Sequence, residues 1–312
     1  MSDVPIAFLL SGGLDSSLIC SIVKRLLPDT EVHTFSIGIA GCPDLVAAKG
    51  VADFLGTTHH EFHFTVEEAL AAVKEVVYYI ESFEQVRASV PMYLLTRKIA
   101  EKGFKVVLSG EGSDEIFGGY LYFHYAPNRD EMHRELVRKY TRLYLWDVLR
   151  ANKVGHAGGV EVRCPYLDRD FVDVVMGTDP SLKMCNLKEK PDGVHAKMEK
   201  YLLRKAFDDQ DQPYLPSSLL WRQKEQFSDG VGYDWVNSLK EFAEKAVSDD
   251  EWNNRHRRYI KDAPRSKEYY YLRRVFEEHF PSESAQNTVP KDLSIACSTP
   301  EAIHWNPEWK NI

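Results

Sequence analysis

The sequence predicts an α/β protein with a parallel, doubly wound sheet and a largely helical C-terminal half. Strand-like and helix-like segments alternate over residues 5–108, which is typical of parallel β/α units. Two strand-like segments end in loops rich in glycine and serine, at residues 11–17 and 109–115. After residue 130 helical periodicity dominates. Together these observations favour a nucleotide-binding sheet followed by helices.

Each element follows from the spacing of apolar residues. The predicted strands are 5–10, 31–39, 58–64 and 105–108. The predicted helices are 18–27, 44–55, 66–80, 91–103, 130–151, 168–176, 197–207, 235–246 and 267–279. We predict one extended domain over 1–312, with a nucleotide-binding β/α core over about 1–125, a helical substrate-side region over about 126–280 and a tail over 281–312.

Composition excludes several classes of protein. The chain has 312 residues, of which 44% are hydrophobic and 28% charged, and its net charge is -8. This balance is typical of a soluble globular protein and argues against nucleic acid as a partner. No apolar run is long enough to span a bilayer, and the N-terminus lacks the features of a signal peptide. The five cysteines are scattered, at 20, 42, 164, 185 and 297, so we expect reduced thiols and a cytoplasmic location.

The first glycine loop, Ser11-Gly12-Gly13-Leu14-Asp15-Ser16-Ser17, joins the first strand to a helix. Paired glycines let the backbone approach a ligand, and the first N–H groups of a helix favour an anion. Ser16 and Ser17 add hydroxyl donors. Asp15 would repel phosphate by itself, so it is interpreted as a magnesium ligand. No Gly-Lys-Ser/Thr follows, so this is not a Walker A loop; a capped helix without a ligand is the alternative.

The second glycine loop, Ser109 to Glu115, follows the strand at 105–108. Ligands bind beyond the carboxyl ends of parallel strands, so we expect the two glycine loops to converge. Carboxylates in the second loop, Glu111 and Asp114 among them, can accept a proton or bind Mg²⁺. An exposed acidic turn is the alternative, but apolar residues flank the loop on both sides.

Three further features of the sequence each allow a functional and a purely structural interpretation. Lys224 lies in the polar stretch 222–230, where it would offset phosphate charge or belong to a solvated loop. Leu9 and Ile37 fit a core, or the wall of an adenine pocket. His59, His60 and His63 alternate in a strand-like run, which makes a poor metal site.

These motifs resemble one family, the synthetase domain of glutamine-hydrolysing asparagine synthetase. The matching blocks cover nearly the whole chain: 10–17, 43–45, 59–65, 87–89, 108–122, 149–153, 165–168 and 222–233. The resemblance implies a sheet of the ATP pyrophosphatase (adenine nucleotide alpha hydrolase-like) type. It also implies a ligase that converts aspartate into β-aspartyl-AMP with ATP and Mg²⁺, and then into asparagine with ammonia.

The resemblance also implies a role for each matching residue. Contacts to adenosine are implied for Leu9, Ile37, Ser109 and Gly110, and contacts to pyrophosphate for Ser11, Gly12, Gly13, Ser16 and Ser17. Asp15 and Asp114 would hold Mg²⁺. Glu111 would support formation of the intermediate and the attack by ammonia, Lys224 would stabilise charge at the cleaved phosphate, and Arg87 would place the substrate.

The chain departs from the family pattern in two ways that bear on function. The family's amino-terminal glutaminase domain is missing before the first strand, so we expect this chain to use free ammonia, or ammonia from a glutaminase partner or a missing domain of a longer protein. Segment 83–86 is shorter than its counterpart and lacks a threonine pair. The alternatives are therefore a non-catalytic nucleotide-binding homologue or subunit, and an adenylating amide synthetase with another substrate. A homodimer stays open.

Overall fold

A computed structural model describes residues 2–223, 230, 232–260, 262–291 and 297–309. Its centre is a five-stranded sheet whose pairings are all parallel. The strands are β1 Ile6–Leu9, β2 His33–Gly38, β3 Thr58–His63, β4 Val106–Leu108 and β5 Glu161–Arg163, in the order β3-β2-β1-β4-β5. The predicted fold class is confirmed, and β5 is a strand that the sequence did not predict.

Helices connect and cover the strands. The first five are α1 Leu14–Leu26, α2 Pro43–Leu55, α3 Val66–Ile80, α4 Val86–Glu101 and α5 Ser113–Phe117. The next five are α6 Arg129–Arg142, α7 Asp147–Ala157, α8 Arg169–Gly177, α9 Tyr201–Ala206 and α10 Ser217–Leu220. The last described helices are α11 Tyr233–Ala246, α12 Asp249–Asn253, α13 Arg255–Arg258, α14 Lys267–His279 and α15 Glu283–Gln286. Short 3₁₀ turns lie at Leu121–Tyr125, Leu143–Leu145, Pro165–Leu167, Pro180–Leu182, Ile303–Trp305 and Pro307–Trp309.

The order of the strands places a ligand crevice beside β1. From β1 the chain moves outward to β2 and β3, then returns through α3 and α4 to β4 on the opposite side of β1. Phe8 of β1 pairs with Leu108 of β4, so both strands end at the same edge. The loops that follow them leave in opposite directions, and such a switch point is where open α/β sheets bind ligands.

The two faces of the sheet bury separate cores, because successive side chains of a strand point to opposite faces. Ala7 and Phe35 belong to the core beneath α3, α4 and α14, whereas Phe8 and Leu10 belong to the core beneath α1 and α2. The central strands β1, β2 and β4 are therefore covered on both faces, as is typical of parallel sheets.

Helix α3 shows how local sequence sets a boundary. The Glu68 N–H donates to Thr65 Oγ1 (3.2 Å), and the Thr65 N–H donates to Glu68 Oε2 (2.8 Å). This capping box starts the helix at Val66, as predicted.

Helix α4 begins five residues earlier than predicted, because the prediction started it at Pro91. Pro91 has no N–H to donate to the carbonyl of Arg87, four residues before it. The indole Nε1–H of Trp235 donates to that carbonyl instead (2.8 Å). A contact from α11 therefore lets the helix continue through the proline.

Three other predicted helices differ from the observed ones by more than two residues. Helix α1 begins at Leu14 instead of residue 18, with Gly13 as its N-cap, and α9 begins at Tyr201 instead of residue 197. The predicted helix 130–151 is two helices, α6 and α7, separated by the turn Leu143–Leu145 and the non-helical backbone of Trp146.

The described end of the predicted tail packs onto the body of the protein. Ala302 and Trp305 are buried in a small core with Tyr122 and Phe123. Thr299 donates to the buried carboxylate of Glu135 through both its N–H (3.2 Å) and its Oγ1 (2.7 Å). The division into a core to about residue 125, a helical region and a tail stays a prediction, and β5 adds a strand of the sheet from beyond that first boundary. Within the described ranges, none of the helices has the length and apolar character needed to cross a membrane.

Candidate active site

A cavity of about 570 Å³ opens at the carboxyl edge of the sheet, beside β1 and β4. This volume lies within the range of small-molecule sites. Most of the predicted site residues line it: Leu9, Ser11, Gly13, Asp15, Ser16, Ile37, Arg87, Ser109, Gly110, Glu111 and Asp114. The convergence of the two glycine loops, expected from the sequence, is confirmed.

The first glycine loop is tightly folded against α2. Gly12 has a φ of +74°, and a Cβ there would lie 2.5 Å from Ala47 Cβ and 2.6 Å from the backbone nitrogen of Ala48. Only glycine fits this position without displacing α2. Ser11 and Ser16 hold the turn through their hydroxyls, 3.1 Å apart. The loop thus presents the amino end of α1 to the cavity, where the helix dipole favours an anion.

The second glycine loop lies directly against the first. A Cβ on Gly110 would lie 2.9 Å from both Asp15 Cβ and the backbone nitrogen of Ser16. Ser113 Oγ donates to Asp15 Oδ1 (2.9 Å). The loops are therefore held together at the residues that the sequence assigned to pyrophosphate and metal.

The carboxylates of Asp15 and Asp114 contact the same cation, Lys200. The Lys200 Nζ lies 2.5 Å from Asp15 Oδ2 and 2.6 Å from Asp114 Oδ1. The two oxygens are thus close enough to share a single positive charge. Carboxylate oxygens are the ligands that Mg²⁺ takes in proteins, so this donor pair fits the predicted metal.

Glu111 lies in a second charged group that lines the cavity. Arg150 NH2 donates to Glu111 Oε1 (2.5 Å), and Arg150 NH1 contacts Asp147 Oδ1 (3.1 Å) and Gln85 Oε1 (3.0 Å). Burial raises the pKa of Glu111 above its usual range, while the charge of Arg150 opposes that shift. A carboxylate with a raised pKa is suited to exchange protons near neutral pH.

Arg87, predicted to place the substrate, lines the cavity with its guanidinium already paired. Its Nε and NH2 donate to the two carboxylate oxygens of Glu268, at 2.7 and 2.5 Å. Nearby, burial raises the pKa of Glu84, partly offset by a hydrogen bond from Tyr269. Arg87 and Glu84 thus border the same end of the cavity.

An apolar wall completes the cavity. Leu9 and Ile37 line it together with Met92 and Leu95, and Ile37 is also part of the core behind the wall. The two interpretations of Leu9 and Ile37 are compatible, because one face of a residue can pack inward while another faces the cavity. Such a wall suits a flat aromatic base.

Two predicted residues are placed differently, and a third lies outside the described residues. Gly12 and Ser17 do not line the cavity as the described residues define it. Gly12 instead accepts a hydrogen bond from Arg222 at its carbonyl (3.4 Å), and the buried Ser17 Oγ has no hydrogen-bond partner among the described residues. Lys224 lies outside the described residues, so its role stays a prediction.

The three histidines of β3 have structural contacts. His59 bonds to the hydroxyls of Thr34 (2.9 Å) and Ser36 (3.1 Å), and His60 stacks on Phe35 with ring centroids 4.5 Å apart. Among the described residues, these histidines form no group with metal-ligand spacing.

Sequence reasoning missed several basic residues of the site. Arg150 belongs to the block 149–153, which the resemblance had matched without a role. Lys200 and Lys139 had no motif around them. Each of these two lysines lies within a predicted helix. Basic residues are common in helices, so this position does not indicate a functional site.

Comparison with known proteins supports one family for this site. The asparagine synthase family model matches residues 1–131 and 125–304. The chain belongs to the asparagine synthase family. The resemblance inferred from the motifs is therefore confirmed.

Individual relatives agree with the family assignment. A protein of Zea mays named asparagine synthetase [glutamine-hydrolyzing] is 53% identical over 320 residues, covering 99% of this chain and 54% of its own length. A relative from Asparagus officinalis is 52% identical over 321 residues, covering 100% of this chain and 53% of its own length. A relative from Oryza sativa subsp. japonica is 53% identical over 323 residues, covering 100% of this chain and 54% of its own length. The chain spans about half the length of these relatives.

Proposed function

We propose that this chain is an ATP-dependent amide ligase that converts aspartate into asparagine and releases AMP and pyrophosphate. The observation that carries the proposal is the meeting of three features in one cavity. These are the two glycine loops, the Asp15–Asp114 carboxylate pair and the partly buried Glu111. Membership of the asparagine synthase family supports the choice of reaction.

ATP would bind with its base against Leu9 and Ile37 and its phosphates at the amino end of α1. The free N–H groups and the hydroxyls of Ser11 and Ser16 would donate to phosphate oxygens. Asp15 and Asp114 would hold Mg²⁺, which would offset the negative charge of the pyrophosphate leaving group. The β-carboxylate oxygen of aspartate would then attack the α-phosphorus, and the bond to pyrophosphate would break.

The second half-reaction is aminolysis of the resulting acyl-adenylate. Ammonia would attack the acyl carbon, AMP would leave, and the surplus proton would pass to a base in the cavity. Glu111 is our choice for that base, because burial raises its pKa and the ion pair with Arg150 holds it in place. Lys224 is proposed to stabilise charge at the cleaved phosphate.

Lys139 is the cation that we propose binds a carboxylate of the amino-acid substrate. It lines the cavity, where its Nζ contacts the carbonyl of Cys297 (3.0 Å) and lies 4.8 Å from the centre of the Tyr120 ring. Among the described residues, no carboxylate forms an ion pair with it. An ammonium group so placed can attract an incoming carboxylate.

A related ligase with another amino-acid substrate is the second candidate. The observation that favours it is the shortened segment 83–86, whose Gln85 binds Arg150 directly (3.0 Å). Since Arg150 also holds Glu111, this segment reaches the reacting centre. The changed length of this segment therefore bears on which amino-acid substrate fits the site.

One assay separates the candidates. The purified chain is incubated with ATP, Mg²⁺, ammonium and each amino acid in turn, and pyrophosphate and amide products are measured. We expect pyrophosphate and asparagine with aspartate, and no product when glutamine replaces ammonium. Pyrophosphate with a different amino acid would favour the second candidate, and its absence with every amino acid would refute both.

The role of Glu111 is tested by Glu111→Gln. We expect loss of asparagine formation by about 10²–10⁴-fold, as for removal of a general base, with Glu101→Gln as a control on the exposed end of α4. Unchanged asparagine formation would show that Glu111 is not the base.

A further inference from the structure

We propose that Lys200 is a built-in counter-ion of the metal site: its ammonium occupies the space between the two metal-ligand carboxylates and competes with free Mg²⁺. The metal would therefore bind together with the nucleotide rather than before it. This inference rests on the proposed function in one respect, the assignment of Asp15 and Asp114 as metal ligands.

The contacts of Lys200 link three separate parts of the chain. Asp15 follows β1, Asp114 follows β4, and Lys200 immediately precedes α9. Its Nζ touches one oxygen of each carboxylate, at 2.5 and 2.6 Å. Its side chain is only 3% exposed, whereas each aspartate side chain is 17% exposed. All three side chains line the cavity, and that of Lys200 is the most buried of them.

The backbone around this ion pair is shaped for it. Lys200 has a φ of +57°, a left-handed conformation that is costly for a residue with a side chain. A Cβ on Gly119 would overlap both Asp114 Oδ1 and Lys200 Cε. The left-handed backbone of Lys200 and the missing side chain at Gly119 thus occur at one place. Both allow the lysine to reach the carboxylates.

Charge explains why the metal should arrive with nucleotide. Two carboxylates and one ammonium carry a net charge of -1, so a free divalent cation must displace a buried ammonium or accept repulsion from it. Phosphate groups bound at the first glycine loop supply new negative charge for both cations. The nucleotide therefore removes the competition that free Mg²⁺ meets by itself.

The test uses Lys200→Met and the metal alone. Binding of Mn²⁺ in the absence of nucleotide is measured by electron paramagnetic resonance, which reports free Mn²⁺. We expect Lys200→Met to bind one Mn²⁺ at least about tenfold more tightly than the wild type, because the carboxylate pair has lost its internal cation. Millimolar Mg²⁺ should raise the Tm of the variant by about 2–5 °C and leave that of the wild type nearly unchanged.

Two further variants keep the outcome interpretable. Lys240→Met removes an exposed lysine of α11 that does not line the cavity; it should bind Mn²⁺ like the wild type. The double variant Lys200→Met/Asp114→Asn restores the net charge of -1, so it should lose the gain in Mn²⁺ affinity.

Specific results would overturn the inference. It fails if the wild type binds free Mn²⁺ as tightly as Lys200→Met, or if Lys200→Met does not fold even with millimolar Mg²⁺. Because neither ATP nor aspartate is present, these results are independent of asparagine formation. A chain that makes no asparagine but shows the expected metal response would refute the proposed function alone.

Discussion

Replacing Lys183 with methionine should stabilise the protein at neutral pH. Lys183 is 1% exposed, and among the described residues its Nζ has a single side-chain contact, Met176 Sδ at 4.0 Å. Burial lowers the pKa of this lysine from 10.5 to about 8. At pH 7 the folded protein therefore holds a buried ammonium group that pairs with no carboxylate of the described residues.

The size and sign of the effect follow from the shift in pKa. A pKa shift of this size destabilises the folded state by up to about 3 kcal/mol, at about 1.4 kcal/mol for each pKa unit. Between pH 8 and 10.5 the unfolded chain binds more protons than the folded one, so stability rises with pH in that window. The penalty is complete below pH 8 and falls to about a quarter at pH 10.

Lys183→Met keeps most of the side-chain volume and removes the charge, so we expect a gain of about 1–3 kcal/mol at pH 7. Urea unfolding at pH 7 and at pH 10 measures it, with Lys188→Met on the exposed surface as the control. The reasoning is refuted if Lys183→Met lowers stability at pH 7, or if its gain is as large at pH 10 as at pH 7.

Two further predictions concern the glycine loops. Gly12→Ala and Gly41→Ala both place a side chain at a positive φ, but only the side chain at position 12 meets neighbouring atoms. Thermal unfolding should therefore show that Gly12→Ala loses about 1–3 kcal/mol more stability than Gly41→Ala. Equal losses of stability would contradict the close approach of Gly12 to α2. Burial, together with the charges of Asp147 and Asp114, raises the pKa of Glu115 to about 7. Since the folded state then holds the extra proton, stability should fall as pH rises from about 4.5 to 7. Glu115→Gln should therefore stabilise at pH 8 by about 1–3 kcal/mol and little at pH 5; a gain that does not depend on pH would show that ionisation is not its cause.

The predictable parts of this fold are those in which neighbouring residues decide the structure. Helix α3 begins and ends as predicted because its capping box and its apolar stripe are local. The strands before the two glycine loops were recognised because short apolar runs followed by glycine are typical of buried parallel strands. The cavity could be located from the same signals, since parallel strands place their carboxyl ends together.

The parts that were missed depend on contacts between distant residues. Strand β5 has only three residues, with Val162 between two charged ones, and it exists because it pairs with β4. The first turns of α4 depend on Trp235, 148 positions away from the carbonyl that its indole satisfies. Neither contact leaves a pattern in the neighbouring sequence.

Residue type and spacing along the chain specify the α/β class, the two glycine loops and the carboxylates that they carry, because these features are local. How the carboxylates are neutralised depends on contacts that form only in the folded chain. Glu111 meets Arg150, and Asp15 and Asp114 meet Lys200. These partners lie 39, 185 and 86 positions apart along the chain. An ion pair depends on distance in space, and only the folded chain brings such distant residues together.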